Sequence, residues 1–240
     1  MKQSSNTGAA KSANTQDYAI YAHVFDAVLE QRIAPGTRLS EESLGEIFGV
    51  SRTTVRRALA RLDHEQVILL RPNRGAVVAT PTPEDVAQIF HARRLVERAI
   101  TELAVQHATA ADVMRLRQTI ADEQACLARG ERGAAIRLSG EFHLVLAEVA
   151  QNQPLLGFQR SLVSQCSLAV ALYDRGQSSH CSFDEHGALV NAIEARDTEQ
   201  AVTLMMHHLD HIQDKLDFAP VGQAEDLKAV FANVKANRPS

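Results

Sequence analysis

Arginine side chains are concentrated in one short stretch of this chain, and arginine is well suited to contacts with nucleic acid. Six arginines lie between Ser51 and Gly75, against only two acidic residues, although the 240-residue chain has a formal net charge of −4. A guanidinium group can hydrogen-bond bidentately to guanine or bind a phosphate. The uneven charge therefore predicts a local cationic surface for DNA and places the excess of acidic residues elsewhere.

A helix-turn-helix is predicted to present these arginines. In GVSRTTVRRALARL, residues 49–62, the apolar positions recur at helical spacing, and they are Val55, Ala58, Leu59 and Leu62. Thr53, Arg56 and Arg57 point away from that stripe, and Arg52 lies on its flank. Ser40 and Ser51 fit the N-caps of two successive helices, and Gly49 permits a left-handed turn between them. The pattern therefore predicts two capped helices with an outward arginine face.

A basic hairpin is predicted after the second helix. Two short apolar runs, 67–70 and 76–79, flank the sequence Arg71-Pro72-Asn73-Arg74-Gly75, which is typical of a β-hairpin turn. The hairpin adds a basic wing to the helix-turn-helix. The alternative interpretation is a small helical domain whose arginine face is simply solvated.

Composition limits the class of protein. The chain is 45% hydrophobic and 22% charged, as in an ordinary globular protein. No apolar run approaches the ~20 residues of a membrane helix, and the N-terminus lacks a secretory apolar region. The three cysteines have no C-x-x-C pairing, which favours a reducing compartment. We expect a cytoplasmic protein without a membrane partner.

Composition shifts divide the chain into segments. We predict a disordered arm at 1–16, a winged helix-turn-helix domain at 17–79, a linker at 80–84, an all-α domain at 85–218, and a tail at 219–240 with one short helix near 226–234. The first helix is expected at about 17–32. Amphipathic patterns predict bundle helices at 83–107, 110–128, 131–149, 154–173, 183–195 and 198–218. The predicted fold class is mainly α, with three helices and a β-hairpin wing followed by a bundle of about six to seven helices.

Three histidines lie on the core-facing stripes of three predicted bundle helices: His143, His186 and His208. His207 and His211 project from the opposite, polar side of their helix. A buried imidazole needs a hydrogen bond or a metal, because an unpaired buried polar group costs a few kcal/mol. Neutral imidazole is a common metal ligand, and zinc binds three of them readily. The alternative is three unrelated histidines, each satisfied by a backbone carbonyl or a water.

Two further interpretations concern charged residues of the bundle. Arg93 and Glu97 are one turn apart on an apolar stripe, so they form either an internal salt bridge or, through Arg93, a clamp for a ligand carboxylate. A metal-dependent hydrolase would need an acid or base beside the metal, but Glu141 and Glu185 face partly away from the inner stripes. We therefore predict no catalytic residues and a protein that is not an enzyme.

The motifs resemble a known family. Residues 20–79, with PGTRLSE, GVSRTTVRRAL and the Arg-Gly wing, resemble the N-terminal domain of GntR-family transcription regulators. The remainder resembles their FCD-type, FadR-like ligand-binding domain, so the likeness covers roughly 17–218. It implies a homodimer whose recognition helices enter the major grooves of an inverted-repeat operator. The predicted DNA-binding residues are Arg38, Ser51, Arg52, Thr53, Thr54, Arg56, Arg57, Arg74 and Gly75.

The resemblance also implies a small-molecule effector, an organic acid or related catabolite, whose binding usually releases the operator. A ligand-independent DNA-binding protein is the alternative. Family members hold a divalent metal with an aspartate and three histidines, and the histidines map to His143, His186 and His208. The implied ion is zinc first, with nickel or manganese as alternatives. The aspartate position is Ser139 here, and Ser139 and Arg93 are the expected effector contacts.

Three departures concern the DNA-binding domain. Glu42 stands where many family members carry a basic residue, and Thr54 and Arg57 replace a common proline and glutamate. These changes alter the surface that would face the bases. The expected binding mode, with a recognition helix in the major groove, stays the same. The operator sequence is therefore not implied by the resemblance.

Overall fold

A computed structural model of the chain describes residues 6–71, 75–174, 181–218 and 230–231. The chain divides into two compact units, one formed by residues 1–80 with 222–240 and the other by residues 81–221. Within the described residues there are nine helices and one small sheet. The predicted fold class, mainly α with a winged helix-turn-helix, is confirmed.

The first unit contains three helices and a three-stranded antiparallel sheet. Its elements in chain order are α1 (Asn6–Leu29), β1 (Arg38–Leu39), α2 (Glu41–Phe48), α3 (Arg52–His64), β2 (Ile68–Arg71) and β3 (Gly75–Val78). The strand order is β1-β3-β2, and the β2–β3 hairpin pairs Ile68 with Val78 and Arg71 with Gly75. The strand β1 was not predicted, because two residues are too few to display the alternation of a strand.

Helix α1 differs from its predicted bounds. It begins at Asn6, inside the segment predicted to be a disordered arm, and ends at Leu29 instead of near residue 32. The added segment includes three alanines and lacks proline and glycine after position 8. Alanine has the highest intrinsic helix propensity, and extending an existing helix costs far less than nucleating one.

The caps predicted for α2 and α3 are present. The Ser40 side chain accepts a hydrogen bond from the Ser43 backbone N–H at 3.4 Å, and Gly49 ends α2 with φ 64°. The Ser51 side chain accepts from the Thr54 N–H at 3.2 Å and starts α3. These local bonds determine where the two helices begin and where the chain turns between them.

The C-terminal tail is described only at Val230 and Phe231. Phe231 is buried, and its ring centroid lies 5.4 Å from that of Phe48 on α2. Arg32 donates to the Val230 carbonyl at 3.1 Å. The rest of the helix predicted at 226–234 lies outside the described residues.

The second unit is a bundle of six helices. They are α4 (Pro83–His107), α5 (Ala110–Ala128), α6 (Arg132–Val149), α7 (Gln153–Tyr173), α8 (Cys181–Glu194) and α9 (Thr198–Asp214). The helices α4 and α5 begin with capping boxes, Thr82 with Asp85 and Thr109 with Asp112. Helix α4 has the predicted bounds, 83–107, and so takes up the last two residues of the predicted linker, whereas α9 ends four residues before its predicted limit.

The core of the bundle positions the inner faces of α4, α6, α8 and α9. Phe142, Leu146 and Met205 are fully buried there, together with Ile100 and Leu189. Helix α7 is long and apolar enough to cross a membrane by length and composition, with a mean hydropathy of 1.2. Its most apolar window is 56% buried within the protein, as expected for a helix that packs in a core.

Candidate functional site

Helix α3 presents a row of exposed arginines. The side chains of Arg52, Arg56 and Arg57 are 65%, 66% and 48% exposed. On the opposite side of the helix, Val55 and Leu59 are buried against the rest of the unit. The burial of one face therefore fixes the direction in which the guanidinium groups point, and that direction is outward.

Each of these arginines contacts a carboxylate that sequence analysis did not pair with it. Arg56 donates two hydrogen bonds to Glu41, at 3.1 and 2.9 Å. Arg52 donates to Glu42 at 2.7 Å. Arg57 forms an ion pair with Asp17 on α1 at 2.8 Å. The positive charge of this surface is thus partly neutralised by carboxylates of the same unit.

These pairs join α3 to residues 10, 15 and 40 positions earlier, so helical spacing within α3 does not reveal them. The hydrogen bonds from Arg56 lower the pKa of Glu41, and this carboxylate is therefore ionised at neutral pH. Two of these pairs could have been suspected from Glu41 and Glu42, because they lie in the first turn of α2, close to α3 in sequence. Negative charge at that position also suits the helix dipole.

The other predicted DNA-binding residues are placed as follows. Thr54 differs from the prediction: it is buried, and its hydroxyl lies 2.9 Å from that of Ser51, so both side chains serve the start of α3. Thr53 and Arg38 are exposed. Gly75 has φ +75°, a left-handed conformation that favours glycine. Arg74 lies outside the described residues.

The three inner histidines converge in the second unit. His143 on α6, His186 on α8 and His208 on α9 are all buried. Their Nε2 atoms are separated by 3.1 Å between His186 and His208, 3.3 Å between His143 and His208, and 3.4 Å between His143 and His186. Residues far apart in sequence thus bring three ring nitrogens to one point.

Burial lowers the pKa of both His143 and His208 well below the usual histidine range, and the nearby positive Arg93 acts in the same direction. These two imidazoles are therefore neutral at neutral pH. Each neutral imidazole has one N–H and one lone pair. When the Nδ1 atoms carry the hydrogens, three Nε2 lone pairs face one another.

This donor set fits a metal ion. Converging lone pairs repel one another unless a cation lies between them. A zinc–nitrogen distance of about 2.0–2.1 Å at tetrahedral angles separates ligand nitrogens by about 3.3 Å, which matches the observed triangle. The described residues contain one group of close ligand atoms of this kind, formed by these histidines. The three-histidine cluster can therefore hold a zinc-sized ion and leave one position open.

A cavity of about 100 Å³ lies beside the cluster. His143 lines it together with Arg93 and Ser139, the two predicted effector contacts. The cationic residues Arg132 and Lys215 also line it. Arg93 donates to Glu97 at 3.1 Å, so the predicted internal salt bridge is present, and the position of Arg93 on the cavity wall leaves its proposed role as a clamp for a ligand carboxylate a prediction.

Two sequence predictions about this site need correction. His211 was expected on the polar side of α9, and Glu185 was expected to face partly away from the cluster. Both line the cavity, and His211 contacts Glu185 through Nδ1. Glu185 also lies 2.7 Å from Nδ1 of His208. Both residues are only partly buried, so they lie at the edges of the inner faces, which an ideal helical wheel does not resolve.

The carboxylates of Glu97 and Glu123 were not predicted to approach the histidines. Glu97 Oε1 lies 2.7 Å from Nδ1 of His143, and Glu123 Oε2 lies 3.4 Å from Nδ1 of His186. Both glutamates are buried. A glutamate on an apolar stripe was the only sequence signal for either of them.

Comparison with protein families matches both units. Residues 17–78 match the family described as bacterial regulatory proteins, gntR family, and residues 88–211 match the FCD domain. The FCD match alone covers more than half of the chain.

Among curated proteins, the HTH-type transcriptional regulator LutR of Bacillus subtilis is 29% identical over 207 residues, which cover 77% of this chain and 93% of LutR. The Uxu operon regulator of Haemophilus influenzae is 28% identical over 195 residues, covering 74% and 72% of the two chains. The aligned segments cover about three quarters of this chain and at least 72% of each relative.

Solved structures share the fold. Escherichia coli McbR/YncC superposes with a TM-score of 0.71 at 19% identity and covers 82% of this chain and 94% of its own. A GntR-type regulator from Rhodococcus sp. RHA1 gives a TM-score of 0.69 at 25% identity, with 83% and 96% covered. Because the two family models match the two units, and the FCD match covers more than half of the chain, the chain belongs to the GntR family of bacterial transcriptional regulators that carry an FCD domain.

Proposed function

We propose that the protein is a homodimeric, cytoplasmic repressor that leaves an inverted-repeat operator when a small carboxylate enters the cavity of its FCD domain. One observation carries the effector part: Arg93, Ser139 and His143 line a single cavity beside three converging imidazole nitrogens. A guanidinium group and a divalent metal ion both bind carboxylate oxygens strongly. Because family and relatives are transcriptional regulators, we assign the cluster a binding role and not a catalytic one.

The metal in this proposal is zinc, held by the three histidines. Its Lewis acidity would polarise a bound carboxylate or alcohol oxygen at the open position. Ser139, which faces the same cavity, brings a hydroxyl where family members bring a charged ligand. The site therefore leaves more positive charge for an anionic effector than a site with an aspartate ligand would.

An effector can regulate only if it binds the operator-competent and operator-released states with different affinities. The test has two stages. Purified protein is first screened by thermal shift against dicarboxylates, hydroxy acids, sugar acids and uncharged analogues of matched size. Compounds that raise the melting temperature are then titrated against the protein bound to an operator, selected by the wild-type protein from random duplexes.

We expect carboxylates, and not their amides, to raise the melting temperature of the protein and to dissociate it from the operator. A protein that selects an operator but ignores every carboxylate in both assays would contradict the effector proposal. Such a result would leave the DNA-binding assignment intact.

Glu42→Gln is expected to strengthen operator binding. The substitution releases Arg52 from its 2.7 Å contact and removes a negative charge from the face that would approach phosphates. An exposed ion pair is worth up to about 1 kcal/mol, so we expect a gain of roughly 2- to 30-fold for a dimer that carries two such pairs, with a steeper dependence on salt. Fluorescence anisotropy across a salt series measures both quantities.

The control for this substitution is Glu46→Gln, an exposed position on the same helix. It removes the same charge one turn away from Glu42. Equal gains in the two variants would show a general charge effect and would contradict a specific role for the contact between Arg52 and Glu42.

Dimer formation is proposed through α4 and α7, which pack against each other. Each helix exposes a large apolar side chain, Leu95 at 63% and Phe158 at 64%. Large exposed apolar groups on adjacent elements are typical of an interface.

The double variant Leu95→Asp with Phe158→Asp is expected to be monomeric by light scattering. The control is Met114→Asp, at an equally exposed apolar residue on α5, and this variant is expected to stay dimeric. Dissociation by Met114→Asp alone would place the interface on α5.

A further inference from the structure

Each histidine of the cluster has a carboxylate behind it, on the side of the ring away from the converging Nε2 atoms. The pairs are Glu97 with His143, Glu123 with His186, and Glu185 with His208. The distances from Nδ1 to the nearest carboxylate oxygen are 2.7, 3.4 and 2.7 Å in that order. Every glutamate comes from a different helix than its histidine, namely α4, α5 and α8. Five of the six bundle helices therefore contribute to this arrangement.

The glutamates are not additional ligands in this arrangement. Among the described residues, the ligand atoms that lie within 4.8 Å of one another belong to the three histidines. The carboxylates approach Nδ1, and the Nε2 atoms face the centre. The hydrogen bond between Nδ1 of His208 and Glu185 leaves the lone pair of His208 at Nε2, and the carboxyl groups close to Nδ1 of His143 and His186 favour the same tautomer, which can bind a metal.

The hydrogen-bond geometry differs among the three pairs. His208 and Glu185 form a hydrogen bond. The contacts of His143 and His186 are close, but neither Nδ1 is aligned as a hydrogen bond, and Oε2 of both Glu97 and Glu123 is buried without a hydrogen-bond partner. Buried polar atoms of this kind are costly unless another group compensates them. A cation among the imidazoles is such a group.

Charge balance points the same way. Glu97 is 0% exposed and contacts the guanidinium of Arg93, while Glu123 is 3% exposed. Among the described residues, the closest basic group to Glu123 is the imidazole of His186, at 3.4 Å. A divalent ion among the imidazoles would attract both buried carboxyl groups, because electrostatic attraction is strong where water is excluded.

We propose that Glu97, Glu123 and Glu185 form an outer layer of carboxyl groups that orients the three imidazoles toward the metal. The inference rests on the metal site of the proposed function. In this layer the glutamates are positioning residues that act through the histidines. The layer also links Arg93 to the metal, since Glu97 contacts both Arg93 and His143.

The outer layer is tested by measuring zinc affinity in competition with a chromophoric chelator. Full-length wild type is compared with Glu123→Gln and Glu185→Gln, which keep the size of the side chain and remove its charge. Glu97→Gln is avoided because it would leave Arg93 buried without its ion-pair partner. The control is Glu194→Gln, an exposed position on the same helix as Glu185. Circular dichroism of the chelated proteins checks the fold, and if one variant does not fold, the other still provides the test.

Loss of such a carboxylate typically weakens metal binding by 10- to 100-fold, and we expect this range for both variants, with one zinc per chain retained. Glu185→Asp, which keeps the charge, should recover part of the affinity. Cobalt(II) provides a separate readout, because its visible absorption reports the atoms bound to the metal. The band should be unchanged in Glu123→Gln.

Wild-type affinity in both variants would overturn the outer layer while leaving the metal site of the proposed function in place. A changed cobalt band in Glu123→Gln would make Glu123 a ligand and would also overturn it. A wild-type protein that binds no zinc would remove the metal from the proposed function, and the outer layer with it.

Discussion

Arg56→Ala is expected to lower operator affinity by about 10²- to 10⁴-fold, because one bidentate arginine contact to a base is worth about 1–3 kcal/mol and a dimer loses two of them. The substitution also leaves Glu41 without the guanidinium that donates to it at 3.1 and 2.9 Å. An uncompensated carboxylate then faces the phosphates. Arg56 is 66% exposed, so the fold should be unaffected.

The measurement is fluorescence anisotropy at fixed ionic strength with the operator selected by the wild-type protein. Arg117→Ala is the matched control, since Arg117 is also exposed and also pairs with a glutamate, but lies in the bundle. Circular dichroism and light scattering establish that fold and assembly are unchanged. Operator affinity equal to that of wild type would mean that α3 does not read DNA through this face.

His186→Ala is expected to abolish stoichiometric zinc and the stabilisation that zinc confers. A ligand present at about 1,000 times its dissociation constant stabilises the folded state by about 4 kcal/mol. For a domain of this size, that corresponds to a rise in melting temperature of about 10 °C. His186 also stacks on Phe142, with ring centroids 4.0 Å apart, so the variant will have a lower melting temperature than wild type even without zinc. The informative quantity is therefore the change in melting temperature that zinc causes in each protein.

Elemental analysis gives the stoichiometry, and melting curves with zinc or with a chelator give the change. His207→Ala serves as the control, because His207 is exposed on the same helix as His208 and should leave both quantities as in wild type. A wild-type protein that carries no divalent metal and whose melting temperature does not respond to zinc would favour three separately satisfied histidines.

Local sequence determined the secondary structure of the DNA-binding unit and most of the bundle. Ser40, Gly49 and Ser51 define the ends of α2 and α3 through bonds within four residues, and such short-range rules can be read from sequence. Helical periodicity likewise placed His143, His186 and His208 on inward faces, because the direction of a side chain in a helix repeats regularly. The family resemblance then indicated that these histidines belong together.

Only the tertiary structure decided which charged groups meet. The partners of Arg52, Arg56 and Arg57 lie on other helices, and a periodicity within one helix carries no information about its neighbours. The strand β1 exists only because β3 is beside it.

The same limit applies to the cluster. Its histidines come from three helices, and the carboxylates behind them come from α4, α5 and α8. Their separations of a few ångströms depend on how the six helices pack. The sequence of one helix shows only which of its faces is buried. The sequence by itself determined which residues turn inward, and packing determined that they surround one point.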